Sequence, residues 1–238
     1  METENNNQTK VNYSTPIAIV LAGIIIAGAM YFSDGKREAV PVVTEKVVSG
    51  VDQVLPVSVT DHIRGNPNAP IIIVEYSDTE CPFCGRFHST MKQVIDAYGK
   101  TGQVAWVYRH FPIDQLHSKS RNEAVAMECA NELGGNDKFW EYTDRIYEIT
   151  PANNGLNSSE LPKIAEYVGL DVSKFNICLA SGKYDVLIQS QVENAKATGA
   201  EGTPWSIIIT KDAKYPINGA QPFANVKQTI DTLLNNKK

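Results

Sequence analysis

The chain has 238 residues, 42% of them hydrophobic and 21% charged, a balance that excludes a disordered protein and suits one globular body. Its formal net charge of −5, without any long basic tract, argues against nucleic acid as a partner, because that partner needs clustered positive charge.

Residues 1–15 form a short polar tail rich in asparagine. Pro16 to Phe32 then gives 17 residues without a charge. As a helix this segment would be about 26 Å long, close to the roughly 30 Å of a bilayer core. Tyr13, Tyr31 and Phe32 stand where interfacial aromatics belong. The segment is therefore expected to be a single transmembrane anchor. Ala27-Gly28-Ala29 keeps open a cleaved signal peptide and a secreted body. Lys10 on one side against Lys36 and Arg37 on the other leans weakly towards a cytoplasmic body. Residues 33–55 read as a linker with little core of its own.

The folded body is expected over 56–236. Val57 to Val59 and Ile71 to Tyr76 are strand-like, separated by the turn-rich run Arg64 to Asn68. Pro82 to Tyr98 predicts a helix, and Val104 to Tyr108 a further strand. From Ser118 to about Ala197 the segments have helical period, broken at Gly134-Gly135, 151–155, Gly169 and Gly182; the whole insertion spans about 114–197. Trp205 to Thr210 and Tyr215 to Ile217 predict a hairpin, followed by a helix over Pro222 to Leu234. This order describes an α/β protein: a mixed sheet with helices on both faces and a helical cap inserted in its middle.

Cys81-Pro82-Phe83-Cys84 lies at a strand-to-helix junction. Disulfide exchange needs one thiolate that attacks and a second thiol near enough to resolve the mixed disulfide, and this spacing supplies both within one helical turn. At the helix start the unpaired N–H groups and the macrodipole favour a Cys81 thiolate, with Cys81 expected exposed and Cys84 behind it. Pro82 fits an early helical position. The competing readings are an inert cysteine pair and a zinc half-site, for which His88 could be a third ligand but no fourth is evident. Glu75 stands in an apolar run six positions before Cys81, where a buried acid would have a raised pKa and could relay the Cys84 proton. The alternative is a carboxylate at a strand edge. Asp78 and Glu80 read as loop surface, and His110 and His117 as cap or packing residues. Phe139, Trp140, Tyr142 and Tyr147 read as packing of core and cap. Pro204, before the strand at Trp205, is either an ordinary turn residue or a cis-proline that lets Thr203 offer its backbone to an extended substrate. With Cys81 and Cys84 paired, Cys129 and Cys178 are left for each other or remain two buried thiols. A bridge there would place the body outside the reducing cytosol and override the weak charge bias around the anchor.

In these residues the sequence resembles the DsbA-like branch of the thioredoxin superfamily over roughly Thr60 to Leu234. The stretches that carry the resemblance are Asp61 to Gly65, Val74 to Asp78, Cys81 to Cys84, Tyr108 to Pro112, Phe139-Trp140, Gly202 to Pro204 and Gly219 to Pro222. The resemblance implies a thioredoxin-like fold with an inserted helical cap and oxidation of reduced exported proteins. It also implies reoxidation by a quinone-linked membrane partner of the DsbB or VKOR kind. On that pattern Cys81 is the nucleophile, Cys84 resolves, and Glu75 is the buried acid. Thr203 and Pro204 then form the substrate-facing cis-proline loop, with Pro82 and Phe83 beside it. No cofactor or metal is expected. Strongly oxidising members often have histidine where this chain has Phe83, and the sequence offers no sizeable N-terminal dimerisation domain. A monomeric oxidase is the leading expectation. A tethered reductase or isomerase is the alternative, and a chaperone-like binding module is the reading from another class.

Overall fold

The protein is described here from a computed structural model, which describes residues 50–235. Its strands are β1 (His62–Gly65), β2 (Ile71–Ser77), β3 (Val104–His110), β4 (Trp205–Ile209) and β5 (Lys214–Asn218). They form one sheet in the order β1-β3-β2-β4-β5. Only β2 and β3 pair in parallel; the other neighbours are antiparallel. The near-continuous apolar run of β2 follows from its central position, where both faces are covered. Pro216 is tolerated because β5 lies at the edge of the sheet.

Helix α1 (Pro82–Val94) crosses between β2 and β3, and a π-helical turn (Ile95–Gly99) extends it. Phe87, Met91 and Val94 recur along its buried side, one helical turn apart, and pack on Ile73, Trp106 and Tyr108. The insertion comprises α2 (Ser120–Ile149), α3 (Glu160–Tyr167), α4 (Val172–Leu179) and α5 (Asp185–Ala197). Gly135 interrupts α2 with φ of 74°, a left-handed backbone that glycine adopts without steric cost. Asp171 starts α4 by accepting the Lys174 N–H. The chain closes with α6 (Phe223–Asn235), which packs beside α1.

Alternation along the strands sorts two cores. On one face, Ile71, Ile73, Trp106, Tyr108 and Ile208 meet α1, α2 and α6. On the other, Val74, Tyr76, Val107 and Ile207 meet α5 and a short 3-10 helix at Val51–Gln53.

Several sequence expectations need correction. Val57 to Val59 is not a strand; the first strand is His62–Gly65, which runs into the start of the stretch that reads as turn-rich. Its polar residues find distant partners, His62 with Glu128 and Arg64 with Asp144. The end of the expected linker also has core residues: Val51 and Val54 are buried on the sheet. The expected membrane segment, Pro16 to Phe32, lies outside the described residues. Among those described, no helix is long and apolar enough to cross a membrane.

Candidate active site

The end of β2, the start of α1 and the loop before β4 converge on Cys81 and Cys84. Cys81 caps α1 in an extended conformation, with Pro82 in the first turn. Its carbonyl accepts the N–H groups of Cys84 and Gly85 at 3.0 and 3.2 Å. Both cysteines are free thiols. Contrary to the sequence expectation, Cys81 is only 6% exposed; Cys84 is fully buried behind it. The Cys81 thiol donates to the Thr203 carbonyl at 3.4 Å, and the Thr203–Pro204 peptide is cis. The hydrogen bond with Cys84 draws the Cys81 pKa down to about 6 against the opposing effect of burial, with help from Thr203 and the backbone N–H groups of Cys84 and Phe83. Burial, and then the neighbouring Cys81, push Cys84 well above the usual thiol range. The two thiols are thus inequivalent: one is easily ionised and the other holds its proton.

Glu75 is fully buried on β2. Its Oε2 accepts the Trp106 indole N–H at 2.9 Å, whereas Oε1 has no hydrogen-bond partner. Burial raises its pKa to about 7, although the polar Ser77 side chain and the Trp106 N–H oppose the rise. A carboxyl balanced there can give or take a proton near neutral pH.

The residues expected on the loop surface are buried instead. One oxygen of Asp78 accepts the Ile113 N–H at 2.8 Å and faces His117 Nδ1 at 2.9 Å. Glu80 is gripped by a turn from the cap. Its carboxylate accepts the N–H groups of Gly155 and Leu156, and its carbonyl accepts that of Asn153. That turn places Ala152, Asn153 and Asn154 in left-handed conformations. Glu123 accepts the Thr79 hydroxyl at 2.5 Å, and burial together with Glu80 raises its pKa to about 8.

Phe83 is 52% exposed, with the Arg86 guanidinium 4.6 Å from its ring centre. Both line a cleft of about 500 Å³ with Thr90, Gly219, Ala220 and Gln221. His88 turns away from the cysteines to Asp144 at 2.8 Å, which removes the third ligand of the zinc reading. Among the described residues, the group whose ligand atoms converge as a metal site requires is His62, His110 and Glu128. There Glu128 Oε1 already meets both imidazoles, at 2.8 and 3.0 Å. Burial alone would raise Glu128, but these two hydrogen bonds hold it at about 2. His110 is thus a packing residue with an ionic partner. Cys129 and Cys178 form a disulfide joining α2 to α4, their Cα atoms 5.8 Å apart.

A family model described as Thioredoxin matches residues 57–232. The chain belongs to the thioredoxin family. The solved structure of Pseudomonas aeruginosa DsbA2 is 26% identical, with a TM-score of 0.61 over 75% of this chain and 96% of that one. Wolbachia pipientis alpha-DsbA1 shares the fold at 23% identity, with a TM-score of 0.67 over 79% and 96% of the two chains. A curated relative from Mycobacterium sp. (strain KMS), named as the Na(+)/H(+) antiporter NhaA 1, is 32% identical over 67% of this chain. The chain spans about a quarter of the length of the curated relatives it matches first. The thioredoxin fold and its DsbA neighbours support a thiol–disulfide oxidoreductase.

Sequence reasoning missed Ser77 and the contribution of Tyr147 to this site. The signal for Ser77 was present: two positions after Glu75 on a strand, it must share that residue's face. Tyr147 lies 70 positions from Ser77, and no local pattern reveals their contact.

Proposed function

We propose that this chain donates the Cys81–Cys84 disulfide to reduced exported proteins. The observation that carries the proposal is the placement of the two thiols, Cys81 at the start of α1 against the Thr203 carbonyl and Cys84 fully buried behind it, which draws Cys81 down and pushes Cys84 up. Stabilising the Cys81 thiolate stabilises the dithiol product and so makes the disulfide easier to give away. A substrate thiolate attacks Cys81 Sγ; the Cys81–Cys84 bond breaks, and its electron pair leaves on Cys84, which takes a proton. A second substrate thiolate then attacks the substrate sulfur of the mixed disulfide and releases Cys81 as a thiolate. The substrate loses two electrons and the cysteine pair gains them. A quinone-linked membrane enzyme of the DsbB or VKOR kind would remove those electrons.

The Cys129–Cys178 bridge supports an extracytoplasmic body. In this reading the protein is a monomer, held to the cell membrane by residues 16–32. Phe83 favours the alternative of a reductase or isomerase, since a phenyl ring donates no hydrogen bond to the Cys81 thiolate.

Equilibration of the Cys81–Cys84 pair with glutathione separates the two. A donor should be more oxidising than the cytosolic glutathione poise of roughly −220 to −260 mV, whereas a potential near the roughly −270 mV of thioredoxin would overturn the proposal. Cys81→Ser should abolish oxidation of a reduced peptide. Full protection of unfolded chains by that variant would instead favour a chaperone-like role.

A further inference from the structure

The cleft beside Phe83 lies between α1, the helix that starts after Cys81, and the loop that follows β5. One wall carries Phe83, Arg86 and Thr90; the other is the uncharged segment Asn218 to Pro222. That segment is tied to the cis-proline. The Gly219 N–H donates to the Pro204 carbonyl at 3.1 Å, and Asn218 pairs with Trp205 across the sheet. The carbonyl just before Pro204, that of Thr203, receives the Cys81 thiol. Both walls are therefore fastened to groups that flank the reactive sulfur.

Arg86 is the one charged residue in the lining of this cleft. Among the described residues, Arg64, Arg109, Arg121 and Arg145 each meet a carboxylate. Arg86 has neither an ion pair nor a side-chain hydrogen bond among them; its guanidinium lies over the Phe83 ring, 4.6 Å from the centre. A guanidinium held over a ring keeps N–H groups free at its edge, in the fork that matches a carboxylate. The ring also restrains the long side chain, so less conformational freedom is lost when a ligand arrives.

We propose that Arg86 is a specificity-determining residue, which reads an acidic side chain near the substrate cysteine that meets Cys81. This deepens the exchange reaction proposed above and rests on it.

Arg86 stands five positions after Cys81, about 7.5 Å along the helix axis. An extended peptide running beside the helix covers that length in about two or three residues. A Glu or Asp at that spacing meets the guanidinium fork, whereas a Lys there meets a like charge. The preference runs against the molecule as a whole, whose formal net charge of −5 disfavours acidic peptides. A choice of acid close to the cysteine therefore needs a local cation, and Arg86 is the one in place.

The test uses the oxidised full-length chain and uncharged peptides with one cysteine, into which Glu or Lys is placed at each nearby position on either side. Each initial rate of peptide-thiol loss is divided by that of the same peptide with hydroxyethyl disulfide. This uncharged oxidant removes the effect of the new charge on the peptide's own thiol. At low ionic strength the Glu peptide should react about three- to tenfold faster than its Lys counterpart at the spacing given above. In about 0.5 M salt the ratio should shrink towards one. Arg86→Gln should abolish the preference, and Arg86→Glu should invert it. Partial unfolding of a variant lowers both rates alike and leaves their ratio as it was. A wild-type chain that favours Lys or neither residue overturns the assignment. So does a preference for Glu that Arg86→Gln leaves unchanged, or one that is equal at every position. A wild-type chain that consumes no peptide thiol overturns the exchange reaction itself, so the two failures are distinguishable.

Discussion

Glu75 and Tyr76 are adjacent on β2 and face opposite cores, and their polar surroundings are built differently. On the Tyr76 side, the phenol donates to Asn194, and Arg109 bonds to Tyr76, Asp61, Leu55 and Pro56. Every donor there has somewhere to go, as buried polar groups require. On the Glu75 side, one carboxylate oxygen has no partner, and neither has the hydroxyl of its cross-strand neighbour Ser206. The Arg109 side is saturated and serves to hold chain segments together. The Glu75 side is left short of bonds, and that shortage leaves a carboxyl able to change its protonation state near neutral pH.

Arg109→Ala should produce the largest effect on stability. It strands the buried Asp61 carboxylate and should cost about 3–5 kcal/mol in chemical denaturation, with the exchange rate of the folded fraction unchanged. A variant that kept its stability but lost its exchange rate would reverse the assignment of the two faces. Replacing both Cys129 and Cys178 with alanine should cost roughly 4 kcal/mol, again without changing peptide oxidation at temperatures where the protein stays folded. Graded reduction followed by alkylation and peptide mapping should open Cys81–Cys84 before Cys129–Cys178. Participation of Cys129 in turnover would make the bridge a second redox relay.

Glu75→Gln should have the opposite signature. Peptide oxidation should slow by about 10- to 100-fold, as expected when acid–base assistance is lost. The folded pKa of Glu75, about 7, lies above the ordinary 4.5, so its contribution to stability is full below 4.5 and is lost as pH rises through 7. Measured at about pH 8, the Gln variant should therefore be at least as stable as the wild type. The smallest effect is expected at Glu123, whose pKa of about 8 makes stability fall between about pH 4.5 and pH 8. Glu123→Gln should flatten that fall in thermal melts across this range. An undiminished slope would detach Glu123 from the titration.

The parts of this contrast that were legible in the sequence are those with a local signature. The apolar run around Glu75 predicted a buried carboxyl, and the CxxC at a strand-to-helix junction placed Cys81 at the start of α1 with Cys84 behind it, though not the burial of Cys81. Gly134-Gly135 marked the break in α2. What stayed hidden depends on partners brought from far along the chain. Asp78 and Glu80 read as loop surface because carboxylates between a strand and a helix usually are. They are buried because Ile113 and His117 satisfy Asp78 and the turn at 152–156 satisfies Glu80. Likewise β1 has no strand signature of its own and ends in a run that reads as a turn; Glu128 and Asp144 arrive from the cap to pair its His62 and Arg64.

The strap at 50–56 has a mechanical consequence. Asn194 grips the Gln53 carbonyl and the Leu55 N–H, while Arg109 grips the carbonyls of Leu55 and Pro56. Gly50 sits so close to the end of α5 that a Cβ would come within 2.8 Å of the Ala197 carbonyl oxygen. Tension applied to the chain ahead of Gly50 is therefore taken up first by α5 and by the end of β3. Asn194 and Arg109 both also bond the Tyr76 hydroxyl, beside Glu75 on β2, so traction on the strap is passed to the strand that carries the buried acid.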